Sequence, residues 1–193
     1  MSKGSKVMVG SAKGWWLIAL WTLALILVQC KGSGPETEAV GAQARAGQRP
    51  LGEGLALQVS EGDRCPVCAM QVAEHQDHAA ALALDDGTTY YFCGNGCMMR
   101  SWLVPEAYLG VAEGRLALPV VQEYYSRKPM DAREVLWVAD SDVQGPMGVA
   151  LVPLADAAAA ETFRRRHGGK APFRFEELRA ETWEGLTGKG AKP

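Results

Sequence analysis

Residues 79–103, AAALALDDGTTYYFCGNGCMMRSWL, decide the fold. Ala79–Leu84 and Thr88–Phe92 are two short apolar runs separated by Asp85-Asp86-Gly87, where a glycine free to take positive φ closes a hairpin. Cys97–Leu103 then reads as a short helix that stops before Pro105, since proline disfavours the α conformation in the residue ahead of it. The same order returns downstream. Glu134–Ala139 (EVLWVA) reads as a strand, Ser141–Met147 as a connecting loop and Gly148–Val152 as a second strand. Asp156 caps an alanine-rich helix running to Arg166, and Gly168-Gly169 ends it. Phe173–Phe175 adds a short strand and Glu176–Glu184 a terminal helix. The sequence thus predicts an α+β fold of two tandem β-β-α units with small antiparallel sheets. They span residues 57–112 and 113–186, ahead of a disordered tail at 187–193.

Working upstream, apolar alternation begins near Leu55-Ala56-Leu57-Gln58-Val59, and a tight, proline-bearing knuckle follows at Cys65-Pro66-Val67-Cys68-Ala69-Met70. Residues 31–56 carry almost no large apolar side chain and read as a flexible linker, too polar to offset the entropy of ordering. Lys3, Lys6 and Lys13 precede an uncharged apolar run from Gly14 to Val28, which is the pattern of an export signal and is short for a bilayer span. Leu27-Val28-Gln29-Cys30 resembles the lipobox of bacterial lipoproteins, with Cys30 the residue to be lipidated. Gln29 stands where a small residue is usual, so residues 1–30 read either as a lipoprotein signal or as an uncleaved anchor. Both readings tether the domain at a membrane of the bacterial cell envelope, facing the periplasm or the outside.

Four cysteines outside the signal fall into two close pairs, Cys65-x2-Cys68 and Cys93-x3-Cys97. The first spacing lets two thiolates face one centre. The second sits where a strand turns into a helix, a place that favours thiolate. Three outcomes fit such pairs: two disulfides in an exported domain, a structural zinc site, or a site for a softer metal. Methionine favours the last. Met70, Met98, Met99 and Met147 all lie near these cysteines or in loops, and thioether sulfur serves Cu(I) well and zinc poorly. Met70 stands two residues after a knuckle cysteine, and Met147 lies in Gly145-Pro146-Met147-Gly148, where no helical or strand period demands an apolar side chain. His75 is a further candidate donor, with His78 close by; His167 sits at a helix C-terminus, where it serves the dipole. The metal reading is therefore Cu(I), with Zn(II) as the alternative, on Cys65, Cys68, Met70, Met147, Cys93, Cys97 and His75.

The charges exclude other functions. Twenty basic and 22 acidic residues, net −2, are spread along the chain without a basic stripe, so nucleic acid is not an expected partner. No Ser-His-Asp order, phosphate loop or H-E-x-x-H motif marks an enzyme, and the C-P-V-C pair lacks the β-α-β surroundings of thioredoxin-like proteins.

At these residues the chain resembles the NosL family, exported copper-binding lipoproteins that help mature the copper centre of nitrous oxide reductase. The family's C-x-x-C-G-M signature appears as Cys65-Pro66-Val67-Cys68-Ala69-Met70, with Ala69 in place of glycine, and His75 falls at a histidine position of the family. Pro129-Met130-Asp131-Ala132 resembles its W-I-D-A segment. Gly145-Pro146-Met147-Gly148 and Ala160…Phe163…Gly168-Gly169…Phe175 resemble its G-x-M-G and A-x2-F…GG…F patterns. The resemblance implies a chaperone that passes Cu(I) to a client copper enzyme, with a membrane assembly transporter as a further partner. It also implies that the Met147 loop folds back towards Cys68 and Met70. A second resemblance covers only Cys65–Leu109, to YHS and TRASH metal-binding modules, and implies a zinc or heavy-metal sensor or scavenger. Many NosL relatives lack a cysteine matching Cys97, which implies a fuller four-cysteine site here.

Overall fold

A computed structural model describes residues 49–188; the signal or anchor with Cys30, most of the linker and the end of the tail lie outside the described residues. The expected hairpin forms. β1 (Ala80–Leu84) and β2 (Thr89–Phe92) pair antiparallel, with Ala80 opposite Phe92 and Ala83 opposite Thr89. Gly87 closes the turn at φ +84°, its N–H donating to Leu84 O, while the Thr88 N–H donates to Asp86 Oδ1. Helix α1 (Asn95–Leu103) follows, and Pro105 does end it, but by opening a second short helix, α2 (Pro105–Leu109), at the position where its missing N–H costs nothing.

The first sheet is larger than the sequence suggested. β3 (Leu116–Gln122) pairs with β1, and β4 (Pro129–Asp131) pairs with β3, giving the antiparallel order β2-β1-β3-β4. All five residues of β1 and all four of β2 are buried, and α1 packs across β1, β2 and β3. The boundary drawn at residue 112 is therefore corrected: the segment after it completes the first sheet before the second unit begins.

β5 (Leu136–Val138), β6 (Gln144–Gly145), β7 (Gly148–Val149), β8 (Val152–Leu154), α3 (Ala157–His167), β9 (Phe173–Arg174) and α4 (Ala180–Thr187) make up the remainder. The second sheet has the order β8-β5-β9, and β6 and β7 form a separate small hairpin. Asp156 caps α3 as expected, accepting a 2.8 Å hydrogen bond from the Ala159 N–H. The terminal helix begins later than the sequence suggested, at Ala180, because a 3-10 turn over Phe175–Glu177 first tucks Phe175 into the core.

Alternation along β5 joins the two halves. Trp137 faces the main core, which it shares with Leu82, Tyr91, Phe92, Met98, Phe175 and Trp183, whereas Leu136 and Val138 face a smaller cluster with Phe163 and Leu154. The two units thus bury one common core and do not form separate domains. The linker boundary at residue 56 moves as well. Leu51 and Leu55 pack against the main core together with Leu57 and Val59, so the segment from Arg49 onward is docked; two leucines and the tyrosine hydroxyl described below outweigh its polar composition. Among the described residues no helix is long and apolar enough to cross a membrane.

Candidate metal centre

The knuckle is a closed loop of backbone. Arg64 and Gln71 form a β-bridge at its base; above it the Cys65 N–H donates to Met70 O at 2.9 Å, and the Ala69 N–H donates to Cys65 O at 2.8 Å. To close this tightly the chain turns left-handed at Ala69, φ +60°, a conformation natural to glycine. The Met70 N–H points at the Cys68 sulfur and hydrogen-bonds to it. The second pair is set by the β2–α1 junction: Cys93 is the first residue after β2, Gly94 is the N-cap in extended conformation, and Cys97 lies in the first helical turn with its N–H on Gly94 O.

These two elements bring the four sulfurs together. All four Sγ atoms lie within 4.8 Å of one another, and all four cysteines are free thiols. Cys68 Sγ is 3.4 Å from Cys93 Sγ and 4.0 Å from Cys97 Sγ, and Cys93 and Cys97 are 3.8 Å apart. A tetrahedron of four sulfurs each about 2.3 Å from a central ion has edges of roughly 3.8 Å, so the cluster has the size of a four-thiolate metal site. Cys65, Cys93 and Cys97 are buried and Cys68 is half-exposed, so Cys68 is the rim of the centre. The donor set fits a thiophilic ion.

Crowding four thiols divides their protons unequally. Cys93 is pulled down to about 5, first by the hydrogen bond from Cys65 and then by that from Cys97, against burial that pushes it up. The Cys65 thiol is also lowered, chiefly by Cys68. Cys97 is raised, by its hydrogen bonds to Cys65 and Cys93 and then by burial, and Cys68 is raised by its bond to Cys65 and then by burial. Cys93 is therefore the sulfur most ready to be thiolate, while Cys68 and Cys97 keep their protons, a compromise that a cation would replace.

The remaining candidates lie in different places. Met70 is half-buried at the end of the knuckle and packs on the core. Met98 and Met99 are fully buried core residues. Met147 is 41 % exposed at the turn of the β6–β7 hairpin. That hairpin does fold back from the second half, but its neighbours are on the Cys93 side of the cluster. A Cβ on Gly94 would stand 3.6 Å from Pro146 Cδ, and one on Gly145 would stand 3.8 Å from His78 Nδ1. His75 is half-buried in the 3-10 segment Val72–His78 and is not part of the four-sulfur cluster. His78, which sequence reasoning ranked below it, is the histidine beside the hairpin. Burial, then the Arg127 charge, lowers its pKa. Asn95 was missed altogether: its Nδ2 donates to Leu151 O at 2.9 Å and ties the start of α1 to the second half. No period or motif marks it.

Four converging thiols, two from the knuckle and two from a strand–helix junction beside a hairpin of the second half, define a sulfur-rich metal-binding protein of the α+β class. The chain belongs to the NosL family, whose model matches residues 56–183. Its fold is similar to that of the copper chaperone NosL from Shewanella denitrificans, known from a crystal structure. That similarity has 22 % identity and a TM-score of 0.56 and covers 67 % of this chain and 99 % of that one. No curated protein matches the sequence.

Proposed function

We propose that this chain is an exported, membrane-tethered chaperone that holds Cu(I) on its four-cysteine centre and passes it to a client copper enzyme, nitrous oxide reductase or a close equivalent. The observation that carries the reading is the convergence of Cys65, Cys68, Cys93 and Cys97 within 4.8 Å, in a chain of the NosL family. Three sulfurs are buried and one stands at the rim, an arrangement that retains a soft ion yet lets a partner enter. Transfer proceeds by ligand exchange: an incoming donor replaces Cys68 first, and Met147, exposed at the turn of the β6–β7 hairpin, is the further thioether donor of this reading. The Cys30 tether keeps the cargo at the membrane where the client and its assembly transporter are met. Intact-mass analysis of the mature protein would settle the anchor: loss of residues 1–29 with an added lipid is expected, and their retention would overturn it.

A second reading is a zinc or heavy-metal module of the TRASH type. It is favoured by the near-tetrahedral spacing of four thiols, a geometry that zinc accepts as readily as copper. Competition with a Cu(I) chelator separates the two. One tight Cu(I) per monomer, lost in the double variant Cys65→Ser/Cys68→Ser, is the expected result. Unchanged Cu(I) binding by that variant would rule out the centre.

A further inference from the structure

Arg49 touches both arms of the cysteine centre. Its guanidinium pairs with Asp63, a carboxylate 1 % exposed and two residues ahead of Cys65, and lies over the ring of Tyr91, two residues ahead of Cys93, with Cζ 5.7 Å from the centroid. It also donates through Nε and Nη2 to Gln58 O, at 3.1 and 2.9 Å, which closes residues 49–58 into a strap. Tyr91 fastens that strap from inside. Its hydroxyl donates to the carbonyls of Arg49 and Pro50 and accepts from the Gln58 N–H. Asp63 in turn accepts from the Ser60 N–H at 2.7 Å, and its own carbonyl accepts from the Val72 N–H, just beyond the bridge that closes the knuckle.

We propose that Arg49 is a positioning residue of the metal centre, clamping the strap 49–58 onto the knuckle and the β2 end so that strap docking and metal binding reinforce each other. The physical reason is that a metal needs the Cys65–Cys68 knuckle and the Cys93–Cys97 turn in one fixed relation. Arg49 holds Asp63 and Tyr91 in that relation through one rigid, planar cation.

The inference rests on the metal-binding reading, and its test is built to fail separately. Linkage requires that the factor by which metal stabilises the docked strap equal the factor by which docking tightens metal. Amide hydrogen exchange of the full chain is measured with and without one equivalent of chelator-buffered Cu(I), alongside Cu(I) affinity. In the wild type, Cu(I) is expected to slow exchange at Gly52, Gln58 and Ser60 by fivefold or more. Arg49→Ala should abolish that metal dependence and weaken Cu(I) by the same factor, while exchange at Leu82 in the core stays unchanged. Arg49→Lys keeps the charge without the planar fork and should retain part of the coupling; it carries the test if Arg49→Ala loosens the core. Strap exchange indifferent to metal in the wild type, or an Arg49→Ala chain with wild-type affinity, would overturn the proposal. If the wild type holds Zn(II) but not Cu(I), the cargo reading falls and the same comparison with Zn(II) decides the clamp. If it binds neither ion, both fall.

Discussion

The knuckle contains a residue at odds with its own backbone, and relieving the conflict should stabilise the protein. Ala69 sits at φ +60°, between two metal-ligand candidates and where the family's signature carries glycine. Left-handed backbone costs a residue with a Cβ roughly 1–2 kcal/mol. Ala69 is exposed, so removing its methyl sacrifices no packing, and its N–H bond to Cys65 O is a backbone bond that survives the change. Against the gain stands the greater freedom of glycine in the unfolded chain, worth about 0.4–1 kcal/mol. Ala69→Gly should therefore raise stability by roughly 0.5–1 kcal/mol, which for a domain of this size is about 1–4 °C in Tm. Thermal or urea unfolding of the metal-free, reduced protein reads this directly. A lower Tm for Ala69→Gly would refute the reasoning, because it would mean that the alanine conformation carries no strain or that the methyl makes contacts the structure does not show.

Three further predictions follow. Met147→Leu nearly conserves volume at an exposed turn and should cost well under about 1.5 kcal/mol of stability. The same variant should weaken Cu(I) by tenfold or more, about 1.4 kcal/mol, and unchanged affinity would confine the site to the four thiols. Because Cys68 and Cys97 hold protons that a metal must displace, affinity should rise with pH through the neutral range by roughly one to two decades per unit. It should fall more steeply below about 5, where Cys93 also protonates, and a pH-independent affinity from 6 to 8 would contradict the shared-proton arrangement. At Gly169, φ +106°, a Cβ would come within 2.5 Å of Val138 Cγ1 and 3.0 Å of Ala139 O, so Gly169→Ala should cost on the order of 3 kcal/mol or more in chemical denaturation.

The parts that sequence made legible were those governed by local chemistry. The Asp85-Asp86-Gly87 turn, the Asp156 cap and the Gly168-Gly169 stop each state their conformation in the residue types themselves, and each formed as read. β3 was not legible, since Pro119 interrupts LALPVVQ and reads as punctuation. In the sheet it stands opposite Leu82, and its carbonyl accepts from the Ala132 N–H, a partnership created only by the return of β4. The four cysteines were legible as two pairs by spacing, but their convergence depends on the knuckle packing beside the β2–α1 junction, which no local pattern encodes. The docking of Arg49–Val59 was hidden for the same reason. Its anchors, Asp63 and Tyr91, are 14 and 42 residues away from Arg49. His75 outranked His78 in the sequence because the family pattern points to it, whereas the fold places His78 against the Gly145 turn.

The most direct test of the account is X-ray absorption at the copper edge of the full chain, loaded anaerobically with one equivalent of Cu(I) and challenged with excess Zn(II). The account predicts that copper is retained in a shell of sulfur donors, and that Cys93→Ser removes one of them. A nitrogen- and oxygen-dominated shell, or copper displaced by zinc, would contradict it.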